Sequence, residues 1–160
     1  MFGIAVLVLH LRGWVLDDFK FRITALYTAT GVALLVAVEL LHVVNWYLLG
    51  DLLGGTDVLA EFAQNTALGL PFAILLGIVN GIYEEFFLNR YLLDTLASLG
   101  AALAIGISVL VRISYHLYQG PTGAVSILLF GLVLTGFYWR FKQLWPAAFA
   151  HMTSNVIAFA

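Results

Sequence analysis

The sequence predicts an all-α fold, a polytopic bundle of about five transmembrane helices preceded by a short N-terminal apolar segment. Three observations predict it. Of the 160 residues, 62% are hydrophobic and 10% charged, whereas a soluble domain carries about 25% charged residues. The mean hydropathy is +1.01. The apolar residues fall in long runs broken by glycine, proline, aromatic and charged residues, without the alternation of strands.

A spanning helix needs roughly 20 largely apolar residues. Met1 to Leu11 is too short, and the stretch from Arg12 to Arg22 mixes charges with aromatics, which suits the membrane surface. Residues 1–22 therefore read as a short apolar segment with a juxtamembrane linker, and residues 23–160 as the helical domain. The first full span is expected from Ile23 to Leu49. A loop follows from Gly50 to about Asp57, with Gly54-Gly55 as breaker. Asp57 can cap a short amphipathic helix reaching Ala67. The second span is expected from about Leu70 to Leu96, with Pro71 in its first turn. The third is Leu99 to Tyr118, closed by Gly120-Pro121, the fourth Thr122 to Trp139, and the fifth runs from Trp145-Pro146 to Ala160.

Several classes are disfavoured. A net charge of −2 argues against nucleic acid, which calls for a basic patch. Without cysteine, disulfides and thiolate metal sites are excluded. The first residues lack the basic start and small-residue cleavage site of a secretory signal. Arg12, Lys20 and Arg22 precede the first full span, and Arg140 and Lys142 lie between the fourth and fifth. Five spans put both groups on one side, expected to be cytoplasmic, in a multi-pass protein of the plasma membrane. The acidic loop with Asp51, Asp57 and Glu61 then lies outside.

Ionisable residues at bilayer depth cost at least about 2.5–3.5 kcal/mol each and mark function by default. The second span carries Glu84-Glu85, the third Arg112 and His116, the fifth His151 and Asn155, and the first Glu39 and His42. Residues four apart share a helix face, so His151 pairs with Asn155, Arg112 with His116, and Asn80 with Glu84. Gly77-x-x-x-Gly81, close to that last stripe, allows a neighbouring helix to approach. Adjacent carboxylates are turned by about 100°, so one glutamate should face the site and the other should pair with Arg90 or Arg112. His10 and His42 have no evident partner, and Trp14, Trp46, Tyr47, Trp139 and Trp145 read as interface anchors.

A carboxylate and an imidazole together can remove a proton from water. A second imidazole and an amide one turn on can donate to a developing oxyanion. That set would hydrolyse an amide bond within the membrane, on a peptide or lipidated-protein substrate surrounded by lipid. No cofactor is expected. Zinc stays open, since Glu84, His116 and His151 offer three ligands, although the His-Glu-x-x-His motif is absent. A non-enzymatic immunity or interaction protein, or a small transporter component, would also use buried Glu and His.

A Glu-Glu pair, a His on the next helix and His-x-x-x-Asn after a Trp-Pro helix start together resemble the CAAX protease and bacteriocin-processing (CPBP, or Abi) family, specifically its type II CAAX prenyl endopeptidases. The resemblance covers residues 71–160. It implies an intramembrane protease in which Glu84 and Glu85 form the first motif, His116 the second, and His151 with Asn155 the third. It further implies that Glu84 and His116 activate water while His151 and Asn155 stabilise the oxyanion, though family members have also been described as metalloproteases. This chain departs twice. The family's first motif is Glu-Glu-x-x-x-Arg, where Asn89 precedes a displaced Arg90, and Arg112 stands where the second motif usually has Phe. Arg112 is expected to supply the charge that position 89 lacks. The span topology, however, places His116 close to the outer surface and His151 in the half nearer the cytoplasm. The two meet only if the third helix runs deeper or the turn from Tyr118 to Gly123 dips into the bundle.

Overall fold

A computed structural model describes residues 21–53 and 70–159, with Leu11 and Gly13. The N-terminal apolar segment and the amphipathic helix expected from Asp57 lie outside the described residues. Among these residues there are five α-helices: α1 (Ala25–Leu53), α2 (Leu70–Glu85), α3 (Ala101–His116), α4 (Gly120–Phe141) and α5 (Leu144–Phe159). α2 runs on without interruption as a π-helix, Phe86–Leu93. Among the described residues there is no strand.

Local chemistry sets the boundaries. Thr24 Oγ1 accepts the Tyr27 N–H at 3.2 Å, satisfying one of the free donors at the start of α1. The expected loop at Gly50 does not begin there, because α1 continues to Leu53. Gly50 is instead buried beneath the Trp46 indole, whose ring atoms a Cβ would meet at 3.6 Å. The chain reverses at Gly100 (φ 85) and Gly120 (φ 73), positive values that cost glycine nothing. α4 ends at Lys142 in the left-handed region, whose N–H bonds to Tyr138 O at 2.8 Å.

Side-chain contacts give the helix directions. Gly77 lies against Val156 and Gly81 against Met152, so α2 and α5 are antiparallel. Trp145 Nε1 donates to Thr28 Oγ1 at 2.9 Å, and Ser154 Oγ to Glu39 Oε1 at 2.6 Å, so α1 and α5 are parallel. Asn45 bonds to Thr122 at one end of α1, while Val38 packs with Leu134, which makes α1 and α4 antiparallel. Ala104 meets Tyr138 in one apolar cluster, and Arg112 meets Gly131, making α3 and α4 an antiparallel hairpin. Successive helices thus alternate in direction.

Among the described residues two stretches are long and apolar enough to cross a membrane: Ala25–Leu53, with an 18-residue window of mean hydropathy 1.9, and Ala101–Phe141, at 1.7. The second is the α3–α4 hairpin. Only 11% and 22% of these windows is buried within the chain, so their apolar side chains mostly face outward. The interior holds two apolar clusters. One, around Leu93, Ala104 and Tyr138, lies at the end that carries Arg140 and Lys142. The other, around Val38, Leu134 and Ala150, ties α1 to α4 and α5. Between and above them the interior is polar.

Candidate active site

The polar interior exists because α2 and α5 almost touch. A Cβ on Gly81 would stand 2.6 Å from Met152 N, and one on Gly77 would stand 3.0 Å from Val156 Cγ2. Only hydrogen fits at such a crossing. This close approach sets His151, beside Met152, against the α2 turn that carries Glu84 and Glu85.

The two carboxylates diverge as their offset requires. Glu85 is fully buried, at 0% exposure, and Arg112 faces it at 1%. Arg112 Nη2 donates to Glu85 Oε1 at 2.7 Å, and His151 Nδ1 donates to the same oxygen at 2.8 Å. Asn89 Nδ2 donates to Glu85 Oε2. One carboxylate on α2 thereby gathers a cation from α3 and an imidazole from α5. A buried charge is tolerable only when paired and hydrogen-bonded in this way. The Arg112 guanidinium also lies over the Phe130 ring, 5.4 Å from its centroid, a favourable cation–π placement.

Glu84 faces the other way. Its Oε1 accepts from Asn80 Nδ2 at 2.8 Å and its Oε2 from Tyr115 Oη at 2.6 Å. Arg112 Nη1 stands 3.9 Å from Oε2. Arg90, the displaced arginine, pairs with Asp94. Asp94 also accepts from Tyr138 Oη at 2.9 Å and Lys142 Nζ at 2.8 Å, a polar clamp at the basic end of the bundle.

A cavity of about 430 Å³ opens above this network. Arg112, His116, His151 and Asn155 line it, as do Asn80 and Glu39. Glu84 and Glu85 sit behind them, one bonded to Asn80 and the other to Arg112 and His151. The two histidines therefore border one space. The turn after α3 contributes to its wall through Tyr118, Gln119 and Gly123.

Tautomers follow from partners, since a carbonyl or carboxylate only accepts. His116 Nδ1 donates to Arg112 O at 2.9 Å, which leaves Nε2 as a lone-pair acceptor. His151 spends its Nδ1–H on Glu85, which orients the ring. Asn155 Nδ2 is buried and finds no hydrogen-bond partner among the described residues, so it is a free donor at the cavity wall.

Sequence spacing missed Tyr115, the Glu39–Ser154 bond and the role of His42. His42 Nδ1 lies 3.2 Å from Ser126 Oγ, so its apparent lack of a partner is corrected. The available signal was the α1 face through Glu39, His42 and Trp46. A partner on α4 cannot be read from one helix.

A metal ion held by Glu84, His116 and His151 does not fit these residues. Among the described residues no three His, Asp or Glu side chains gather as a metal group. The Arg112 guanidinium stands 3.5 Å from His151 Nδ1 and 3.9 Å from Glu84, and a second cation there would be repelled.

The family model described as Type II CAAX prenyl endopeptidase Rce1-like matches residues 64–157, well over half of the chain. The chain belongs to this family. No curated protein and no solved structure matches it. The matched region holds Glu84, Glu85, Arg112, His116, His151 and Asn155, together with α2 to most of α5. Family membership and the two long apolar stretches make this a membrane protein with a CAAX protease-like function. The α1 residues that line the cavity lie outside the matched residues.

Proposed function

We propose that this protein is a multi-pass endopeptidase of the plasma membrane that hydrolyses a peptide bond near a lipidated, CAAX-type C-terminus with an activated water. The alternating directions of α1 to α5 support five crossings, with Arg22, Arg140 and Lys142 at the cytoplasmic end. The observation that carries the reading is the cavity on which His116, His151 and Asn155 converge above the Glu85–Arg112 pair.

Water held at the wall gives a proton to the His116 Nε2 lone pair, with Glu84 as the neighbouring carboxylate. Each Glu84 oxygen keeps a second acceptor site beside its bond to Asn80 or Tyr115. The water oxygen attacks the carbonyl carbon, and the carbonyl oxygen becomes an oxyanion. Asn155 Nδ2 donates to that oxyanion. His151, held by Glu85 through Nδ1, supplies the second contact as an imidazolium, whose Nε2–H donates to the oxyanion. Collapse breaks the C–N bond, and the proton on His116 passes to the leaving amine. The products are a carboxylate and an amine.

The test uses purified protein in liposomes with a fluorogenic farnesylated peptide. Glu84→Gln and His116→Ala should each lower turnover about 10²–10⁴-fold, and Asn155→Ala about 10²–10³-fold, with helicity unchanged. Full turnover in Glu84→Gln protein would sink the proposal.

A further inference from the structure

The cavity has a second wall that hydrolysis does not use. On α1, Glu39, His42 and Trp46 line it from one helix face, opposite Arg112 and His116. Thr122 and Ser126 of α4 and Ser154 of α5 complete this side. All of α1 lies outside the family-matched residues, so nothing about the shared reaction assigns these groups a role.

The chemistry of this wall is one-sided. Glu39 is a carboxylate whose Oε1 accepts a hydrogen bond from the Ser154 hydroxyl at 2.6 Å, and it lines the cavity with further acceptor sites to spare. Thr122 is 4% exposed, and its Oγ1 finds no partner among the described residues. Behind it, Asn45 spends its Nδ2 on Thr122 O at 3.0 Å and Ser126 Oγ at 2.7 Å, and its Oδ1 is left buried and unpartnered among the same residues. Among the described residues Thr122 Oγ1 is thus an unpartnered hydroxyl on the wall and Asn45 Oδ1 an unpartnered acceptor behind it, and the Trp46 indole adds a π face that attracts cations. The opposite wall does not cancel this. Arg112 is neutralised by Glu85, with Glu84 close by, so the carboxylates around the cavity outnumber its cations. In a low-dielectric cleft such an imbalance concentrates positive charge.

We propose that the α1 wall is a recognition subsite for a cationic side chain of the peptide substrate, an ammonium or guanidinium. Glu39 is its counter-ion and Trp46 its aromatic platform. This rests on the endopeptidase reading for its biological sense, since a substrate seated over His116 and His151 must pass the α1 wall. The binding chemistry stands on the wall alone.

Binding is measured on the full chain in detergent micelles by tryptophan fluorescence, with Trp46→Phe assigning the signal to that indole. The probes are N-acetyl-arginine amide and its neutral isostere N-acetyl-citrulline amide. The arginine probe should bind about tenfold more tightly or better. Glu39→Gln should erase the difference. Glu39→Lys should turn the preference toward N-acetyl-glutamate amide, a gain that misfolding cannot produce. Equal binding of both probes, no saturable binding, or a preference that survives Glu39→Gln would overturn the subsite. The same protein is then offered farnesylated peptides with Arg or citrulline near the cleavage position. A charge preference in binding without cleavage of any peptide leaves the subsite standing and overturns the endopeptidase reading. Cleavage with no charge preference does the reverse.

Discussion

Replacing Arg112 with methionine keeps much of the stem and removes the charge. In the native fold the guanidinium is 1% exposed and Glu85 0%, so water cannot take its place. Glu85 would keep His151 and Asn89 as partners but lose Arg112, its neighbour of fixed positive charge. Breaking one half of such a buried pair costs about 3–5 kcal/mol, or roughly 10²- to 10³·⁵-fold in the unfolding equilibrium. Glu85→Gln should cost a similar amount, because it strands the guanidinium. The double variant should be destabilised by clearly less than the sum, with a coupling of about 2 kcal/mol. The assay is reversible unfolding in mixed dodecyl maltoside and SDS micelles, followed by helicity. Arg112→Met within about 0.5 kcal/mol of the parent, or strict additivity in the cycle, would refute the argument that this pair organises the site. Arg112→Ala, which also removes the packing against Phe130 and Gly131, should be at least as damaging to both stability and cleavage.

Other predictions test neighbouring parts of the structure. Gly81→Ala sets a methyl 2.6 Å from Met152 N, so α5 must retreat. A loss of about 1–3 kcal/mol and reduced cleavage are expected, and unchanged values would mean the crossing is looser than described. Tyr115→Phe removes the 2.6 Å bond to Glu84. It should cost about 1 kcal/mol and reduce turnover while the fold persists; equal kinetics would remove Tyr115 from the site. Treatment with 1,10-phenanthroline should leave cleavage intact, because the Arg112 guanidinium beside His151 and Glu84 would repel a metal cation held between them. Loss of activity restored by added zinc would contradict that. Asp94→Asn weakens three contacts at the basic end and should lower stability by about 1–3 kcal/mol without altering the charge preference for bound probes.

Helix existence was legible because composition and run length depend only on local sequence. The five runs expected to be spans coincide with helices, to within a few residues at each end, while among the described residues two stretches are long and apolar enough to cross a membrane. Pairing within a helix was legible too. The Gly77 and Gly81 stripe, the shared face of Asn80 and Glu84, and the divergence of Glu84 from Glu85 all follow from residue spacing. Contacts between helices were harder. Spacing left Arg90 and Arg112 as equal partners for a glutamate, and only the packing of α3 on α2 selects Arg112. Tyr115 was passed over because its ring sits at a helix surface while its hydroxyl reaches Glu84. His42 needed Ser126, which lies on another helix.

The π-helical stretch Phe86–Leu93 changes what length means in this part of the chain. Bonds from each residue to the fifth rather than the fourth along accommodate an extra residue, and the surplus is stored as phase, not as distance. A one-residue deletion there would barely shorten the rod. It would be absorbed as the wide turns close to ordinary α turns, keeping Asp94 with Tyr138 and Lys142, whereas the same deletion in a regular α-helix would swivel everything beyond it by about 100°. In this segment a single loss is taken up by the winding, so the bundle's two ends stay in register.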